Sequence, residues 1–83
     1  MNNTILVADD RPTELRLVID ALGKRGYRTV TATDGEEAIE KARTFQPRLA
    51  VLDIIMPKKN GFQVTRQLKT DAETSGIKVL LLS

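Results

Sequence analysis

Eighty-three residues make one small domain, and 41% apolar with 29% charged residues is an ordinary globular composition that excludes a disordered chain. The absence of cysteine and histidine excludes disulfides, thiolate metal sites and imidazole acid–base chemistry, leaving carboxylates, hydroxyls and lysines as reactive groups. A net charge of +2 is too small to imply nucleic acid, and its excess is local: residues 1–57 hold 8 basic and 9 acidic side chains, residues 58–83 hold 5 and 2.

Thr4-Ile5-Leu6-Val7-Ala8 is a continuous apolar run ended by Asp9-Asp10, the pattern of a strand buried on both faces. Pro12 stands where a first-turn proline belongs. Leu15, Val18, Ile19 and Leu22 follow at helical spacing as a core row, and Gly23 and Gly26 close the helix. Residues 27–32 are short and β-rich, and Thr33-Asp34-Gly35 punctuates them. Glu36-Glu37 suits the first turn of a second helix, with Ala38, Ile39, Ala42 and Phe45 as its inner face and Gln46-Pro47 as its stop. Leu49-Ala50-Val51-Leu52 is a third strand ended by Asp53, and Pro57-Lys58-Lys59-Asn60-Gly61 is a turn-rich loop. A third helix runs through Phe62, Val64, Thr65 and Leu68 and ends near residues 69–70. Residues 71–76 form a polar connector, and Ile77 to Leu82 read as a fourth aliphatic strand ending at Ser83.

The order β-α-β-α-β-α-β predicts a doubly wound α/β domain over residues 1–83, with a parallel sheet, helices on both faces and right-handed crossovers. There is no internal repeat, linker or G-x-G-x-x-G fingerprint. No segment approaches the roughly 20 apolar residues of a membrane span. Met1-Asn2-Asn3-Thr4 lacks the basic start of a signal peptide, so the expected location is cytoplasmic, with no membrane and no direct nucleic-acid contact.

In open α/β sheets, ligands bind outside the carboxyl ends of the strands. Strand 1 delivers Asp9 and Asp10 to that edge, strand 3 delivers Asp53 and strand 4 delivers Ser83. If strands 1 and 3 are neighbours, three carboxylates and a hydroxyl share a crevice, and crowded carboxylates call for a cation. Magnesium, which takes oxygen ligands, waters and phosphate, suits such a place. A carboxylate can also attack phosphorus to form an acyl phosphate. Singly, each residue has a plainer reading: Asp10 as a helix N-cap, Asp53 as a cap or turn residue, Ser83 as uninformative. Lys58-Lys59 reads as an exposed turn. The joint arrangement favours an aspartyl-phosphate site.

At Val7-Ala8-Asp9-Asp10, Leu52-Asp53-Ile54-Ile55-Met56-Pro57 and Asn60-Gly61, and in the spacing from Asp53 to Ser83, the chain resembles the response-regulator receiver family. The resemblance implies a flavodoxin-like sheet in the order 2-1-3-4. It makes Asp53 the acceptor of a phosphoryl group from a sensor histidine kinase, and Ser83 the hydroxyl that reports phosphorylation. Asp9, Asp10, Asp53 and the Ile55 backbone carbonyl would hold Mg2+. Residues 60–68 are similar to stand-alone receivers of chemosensory and twitching-motility pathways. Two departures stand out. Ala8 replaces a more usual valine, and Ile55 is apolar where relatives often carry a polar group. An apolar side chain there cannot orient an attacking water, which implies slow autodephosphorylation.

The family resembles a five-fold βα repeat, and this chain carries four strands. The fifth βα unit, with its lysine and aromatic switch residue, has no counterpart, and Lys58, Lys59 and Lys78 do not stand at matching positions. The expectation is a receiver domain incomplete at its C-terminus, whose apolar strand 77–82 self-associates as an unprotected edge; light scattering is the check. Two other functions compete with the switch, which assists its own phosphotransfer without being a turnover enzyme. A phosphohydrolase of the haloacid dehalogenase type needs two aspartates one residue apart, and Asp53-Ile54-Ile55 lacks the second. A phosphorylation-independent binding or oligomerisation module would leave the acidic residues unused.

Overall fold

The aliphatic runs are strands and the amphipathic stretches are helices in the computed structural model, which describes residues 2–82. The strands are β1 (Thr4–Ala8), β2 (Arg28–Ala32), β3 (Leu49–Asp53) and β4 (Lys78–Leu82). They alternate with α1 (Pro12–Lys24), α2 (Gly35–Phe45) and α3 (Gly61–Thr70). All pairings are parallel, in one sheet of order β2-β1-β3-β4, as expected. Ser83 lies outside the described residues.

The strand period of two divides the core into two clusters. Leu6, Ala8, Ala50 and Leu52 face one side, where Ala38, Ile39 and Ala42 of α2 and Val64 and Leu68 of α3 cover them. Ile5, Val7 and Val51 face the other side, under Leu15, Val18 and Leu22 of α1. The second cluster is thinner. No α1 residue is fully buried, so the expected core row is half-buried, and Ile19 lines a surface cleft instead of the interior. The cause is coverage: α1 packs mainly over β1 and β2, and no other described helix shares its face.

That arrangement also explains β4. Val79 and Leu81 pack against the main core, while Leu80 and Leu82 on the opposite face are exposed. Among the described residues β3 is its only strand neighbour, so the strand is apolar like an interior one but sits at an edge.

Two local expectations are corrected. Gly23 lies inside the last turn of α1; the helix is closed instead by Gly26, whose φ of 86° is the left-handed conformation that glycine adopts most easily. Phe45 is 50% exposed, because it ends α2 and the chain turns away at once through left-handed Gln46. The connector at 71–76 is polar, as expected, and it is pinned: Thr74 is fully buried and its hydroxyl donates to the Leu68 carbonyl at 2.7 Å, with buried Ile77 beside β4.

Two surface carboxylates are tied to this frame. Glu37 accepts from the Thr33 N–H at 2.7 Å and pairs with Lys41, and the Thr33 bond is the main reason its pKa lies below the ordinary value. Asp71 is lowered first by the Glu73 N–H and then by Arg43. A carboxylate depressed in the native state stabilises the fold above its unfolded pKa and loses that contribution as pH falls through the native value. Thermal stability is therefore expected to decline on acidification below about pH 4. Glu37→Gln should flatten that acid limb in melting curves followed by circular dichroism; an unchanged limb would show that Glu37 plays no part in it.

Candidate functional site

The register of the sheet assembles the site. Val7 pairs with Val51, so continuing both chains by two residues sets Asp9 beside Asp53 on the α1 side of the sheet. The Asp9 N–H extends the ladder by donating to the Ala32 carbonyl at 3.0 Å, and the Ile54 N–H donates to the Leu82 carbonyl at 3.0 Å. Asp9 and Asp53 are both buried, at 6% exposure, and Asp10 is exposed. One carboxylate oxygen from each of the three lies within 4.8 Å of the others.

The capping alternatives fail on geometry. The N-cap of α1 is Arg11, with no side-chain cap bond, so Asp10 does not cap it. The N-cap of α3 is Asn60, not Asp53. Asn60 accepts from the Gln63 N–H at 2.9 Å, and the Gln63 side chain accepts from the Asn60 N–H at 2.8 Å. This reciprocal box was legible as Asn-x-x-Gln and fixes where the loop after β3 ends.

The loop from residue 54 to residue 60 is fastened at both ends. The Gly61 N–H donates to the Ile54 carbonyl at 2.8 Å, and the Gly35 N–H at the start of α2 donates to the Pro57 carbonyl at 3.2 Å. Met56 is buried in the main core, and Lys58 takes a left-handed φ of 69° with its amine 3.7 Å from Asp34. Ile55 points outward at 79% exposure. Together Asp10, Arg11, Asp53, Ile54 and Ile55 line an open cleft of about 370 Å³. A groove of about 420 Å³ between α2 and α3 is larger, but it is lined by Glu36, Glu40, Arg43 and Lys59 and holds none of the strand-end carboxylates.

The residue that sequence reasoning passed over is Arg11. Its Nε lies 3.1 Å from Asp9 Oδ1 and its Nη2 lies 3.2 Å from Asp9 Oδ2, a forked pair. The same Nη2 stands 3.7 Å from Asp53 Oδ2, and the Arg11 N–H donates to Asp9 Oδ1 at 2.9 Å. The Asp9 hydrogen bond, with the pull of the Asp9, Asp53 and Glu14 charges, holds the guanidinium above its ordinary pKa. The crowded carboxylates were expected to need a cation, and the chain supplies one itself. The signal was a basic residue directly after the acidic pair.

The response regulator receiver domain family model matches residues 5–83. The chain belongs to that family. It is 43% identical over 79 residues to protein PilH of Pseudomonas aeruginosa, covering 95% of this chain and 65% of PilH. The chain thus spans just under two thirds of that curated relative. The N-terminal domain of a receiver protein from Methanoculleus marisnigri superposes with a TM-score of 0.92 at 40% identity, over 96% of this chain and 65% of that one. The receiver domain of the sensor histidine kinase PA1611 from Pseudomonas aeruginosa has a TM-score of 0.93 at 22% identity, over all of this chain and 68% of that one. At that identity the likeness is one of fold; its own structure holds magnesium in the active-site cleft.

The donor set here fits such an ion on its own chemistry. Magnesium prefers oxygen ligands, one or two carboxylates and several waters, and keeps room for phosphate. Three converging carboxylates at the mouth of a solvent-open cleft meet those requirements.

Proposed function

We propose that Asp53 accepts a phosphoryl group from the phosphohistidine of a sensor histidine kinase, and that this domain passes the signal on by changing its affinity for a protein partner. What carries the reading is the placement of Asp53: a buried strand-end carboxylate, beside a second one, opening into a cleft wide enough for a phosphoryl donor. A carboxylate oxygen of Asp53 attacks phosphorus as the donor's P–N bond breaks, giving an aspartyl phosphate, while the departing ring nitrogen keeps the electron pair and the donor's imidazole takes up one proton from solvent. Asp9, Asp10, Asp53 and the Ile55 carbonyl would hold Mg2+, which when bound neutralises charge on the transferring oxygens. β1 and β3 hold Asp9 and Asp53 rigidly, so positioning is built into the sheet. Ser83 follows β4 directly in sequence and is proposed as the hydroxyl that senses the phosphoryl group.

The test is intact-protein mass after incubation with acetyl phosphate and magnesium. The wild-type chain should gain one phosphoryl group, lost on chelation and absent in Asp53→Asn. Once the donor is removed, the gain should persist for minutes or longer, because exposed Ile55 has no polar atom to orient an attacking water. Gain by Asp53→Asn, or none by the wild type, would return the chain to a phosphorylation-independent binding module.

A further inference from the structure

Arg11 is the one functional-site residue whose placement the phosphoacceptor reading does not use. Its guanidinium forks onto both oxygens of Asp9 and reaches Asp53, two of the three carboxylates that converge at the cleft. A cation entering among those oxygens meets a positive charge already seated there. The backbone of Arg11 is fixed at the start of α1, where its N–H is bonded to Asp9. The side chain is 55% exposed, so it can swing into solvent without disturbing the helix. Asp9 and Asp53, with side chains only 8% and 7% exposed, have no such freedom.

We infer that Arg11 is a displaceable counter-cation: it offsets one of the two negative charges of Asp9 and Asp53 when no divalent ion is bound and must vacate them for one to enter, so it sets the magnesium concentration the site needs. The inference rests on the phosphoacceptor reading and adds to it a threshold written in one residue. Two physical terms act together. Asp9 gives up charge-assisted bonds to a forked donor and Asp53 loses a nearby positive charge, and the displaced guanidinium still repels a doubly charged ion a few ångströms away. The plainer alternative is that Arg11 is an ordinary surface ion pair, which would leave metal affinity unmoved.

Calorimetric titration of magnesium alone into wild type, Arg11→Gln and Arg66→Gln separates the two. Arg66 is an exposed α3 residue, so its variant loses the same unit of charge away from the cleft. Arg11→Gln should bind magnesium about tenfold more tightly, while Arg66→Gln matches wild type. Equal affinity in all three, or an equal gain in both variants, overturns the inference and leaves the phosphoacceptor reading standing. A second measurement needs no variant. In the wild type, the Arg11 Nε–H resonance should shift on magnesium addition along with the Ile54 amide, as its bond to Asp9 breaks. An Ile54 shift with the Arg11 signal unmoved also overturns it. If neither wild type nor Arg11→Gln binds magnesium and Asp53 takes no phosphoryl group, the site itself is refuted, and Arg11's role with it.

Discussion

Leu52→Ala is expected to lower the unfolding free energy by about 2–5 kcal/mol. Leu52 is fully buried on β3 within the main cluster, and its strand neighbours in register are Ala8 on β1 and Leu81 on β4. Ala8 and Ala50, also in that cluster, are too small to close over the space left behind. A domain of this length holds a total stability on the order of 4–12 kcal/mol, so one deletion removes a large share. Leu80→Ala is the matched control. It truncates the same side-chain type one strand away, at a position 51% exposed on the uncovered face of β4, and should change stability by less than about 0.5 kcal/mol. Urea unfolding of both variants is the measurement. Similar losses in the two would mean that the face over β4 is covered in solution.

That contrast marks where the sequence could be read and where it could not. The element order followed from hydrophobic period and punctuation alone, because each strand is an unbroken aliphatic run and each helix carries a separate apolar row. Asp9 and Asp53 were legible for the same reason: each directly follows a run that has to be a strand, so each has to stand at a carboxyl edge. Burial was less legible, since period fixes which face a residue points to but not what lies over that face. Leu15, Val18 and Leu22 point at the sheet, yet α1 covers only part of it, and Ile19 of the same row lines a surface cleft. Thr74 shows the converse: a hydroxyl in a polar stretch is fully buried because the Leu68 carbonyl at the end of α3 needs a donor.

Arg11 was illegible for a different reason. Its role depends on β1 and β3 being neighbours and on their register, both tertiary facts, and on a rotamer that folds back over the strand end. A motif centred on acidic residues directs attention to the ligands of a cation and away from a cation the chain already carries. The local rule violated at this site is helix capping. α1 starts without a side-chain cap: its N-cap is Arg11, whose guanidinium is turned back onto Asp9.

Gly61→Ala should couple stability to the site in a way that no surface substitution does. A Cβ at Gly61 would stand 2.7 Å from the Asp53 carbonyl oxygen and 3.0 Å from Ile54 Cα, with Leu81 Cδ2 also at 3.0 Å. The leucine methyl can move aside, but the other two atoms are strand-end backbone that positions Asp53. Either α3 is pushed off the sheet, weakening the Gly61 N–H bond to the Ile54 carbonyl, or Asp53 is displaced. The expected cost is about 1–3 kcal/mol, the range for forcing atoms into a packed contact. Phosphoryl gain from acetyl phosphate should fall as well, even in the fraction that remains folded. Gly35 is closed in a similar way by the Lys59 carbonyl of the same loop. Gly23 provides the opposite sign: it lies within α1, and a Cβ there would meet nothing within 4 Å, so Gly23→Ala should stabilise by about 0.5–1 kcal/mol. If Gly61→Ala proved as benign as Gly23→Ala, with the Ile54 amide resonance unshifted, the start of α3 would not be what holds Asp53 in place, and the rigidity assigned to the acceptor would have to come from the sheet alone.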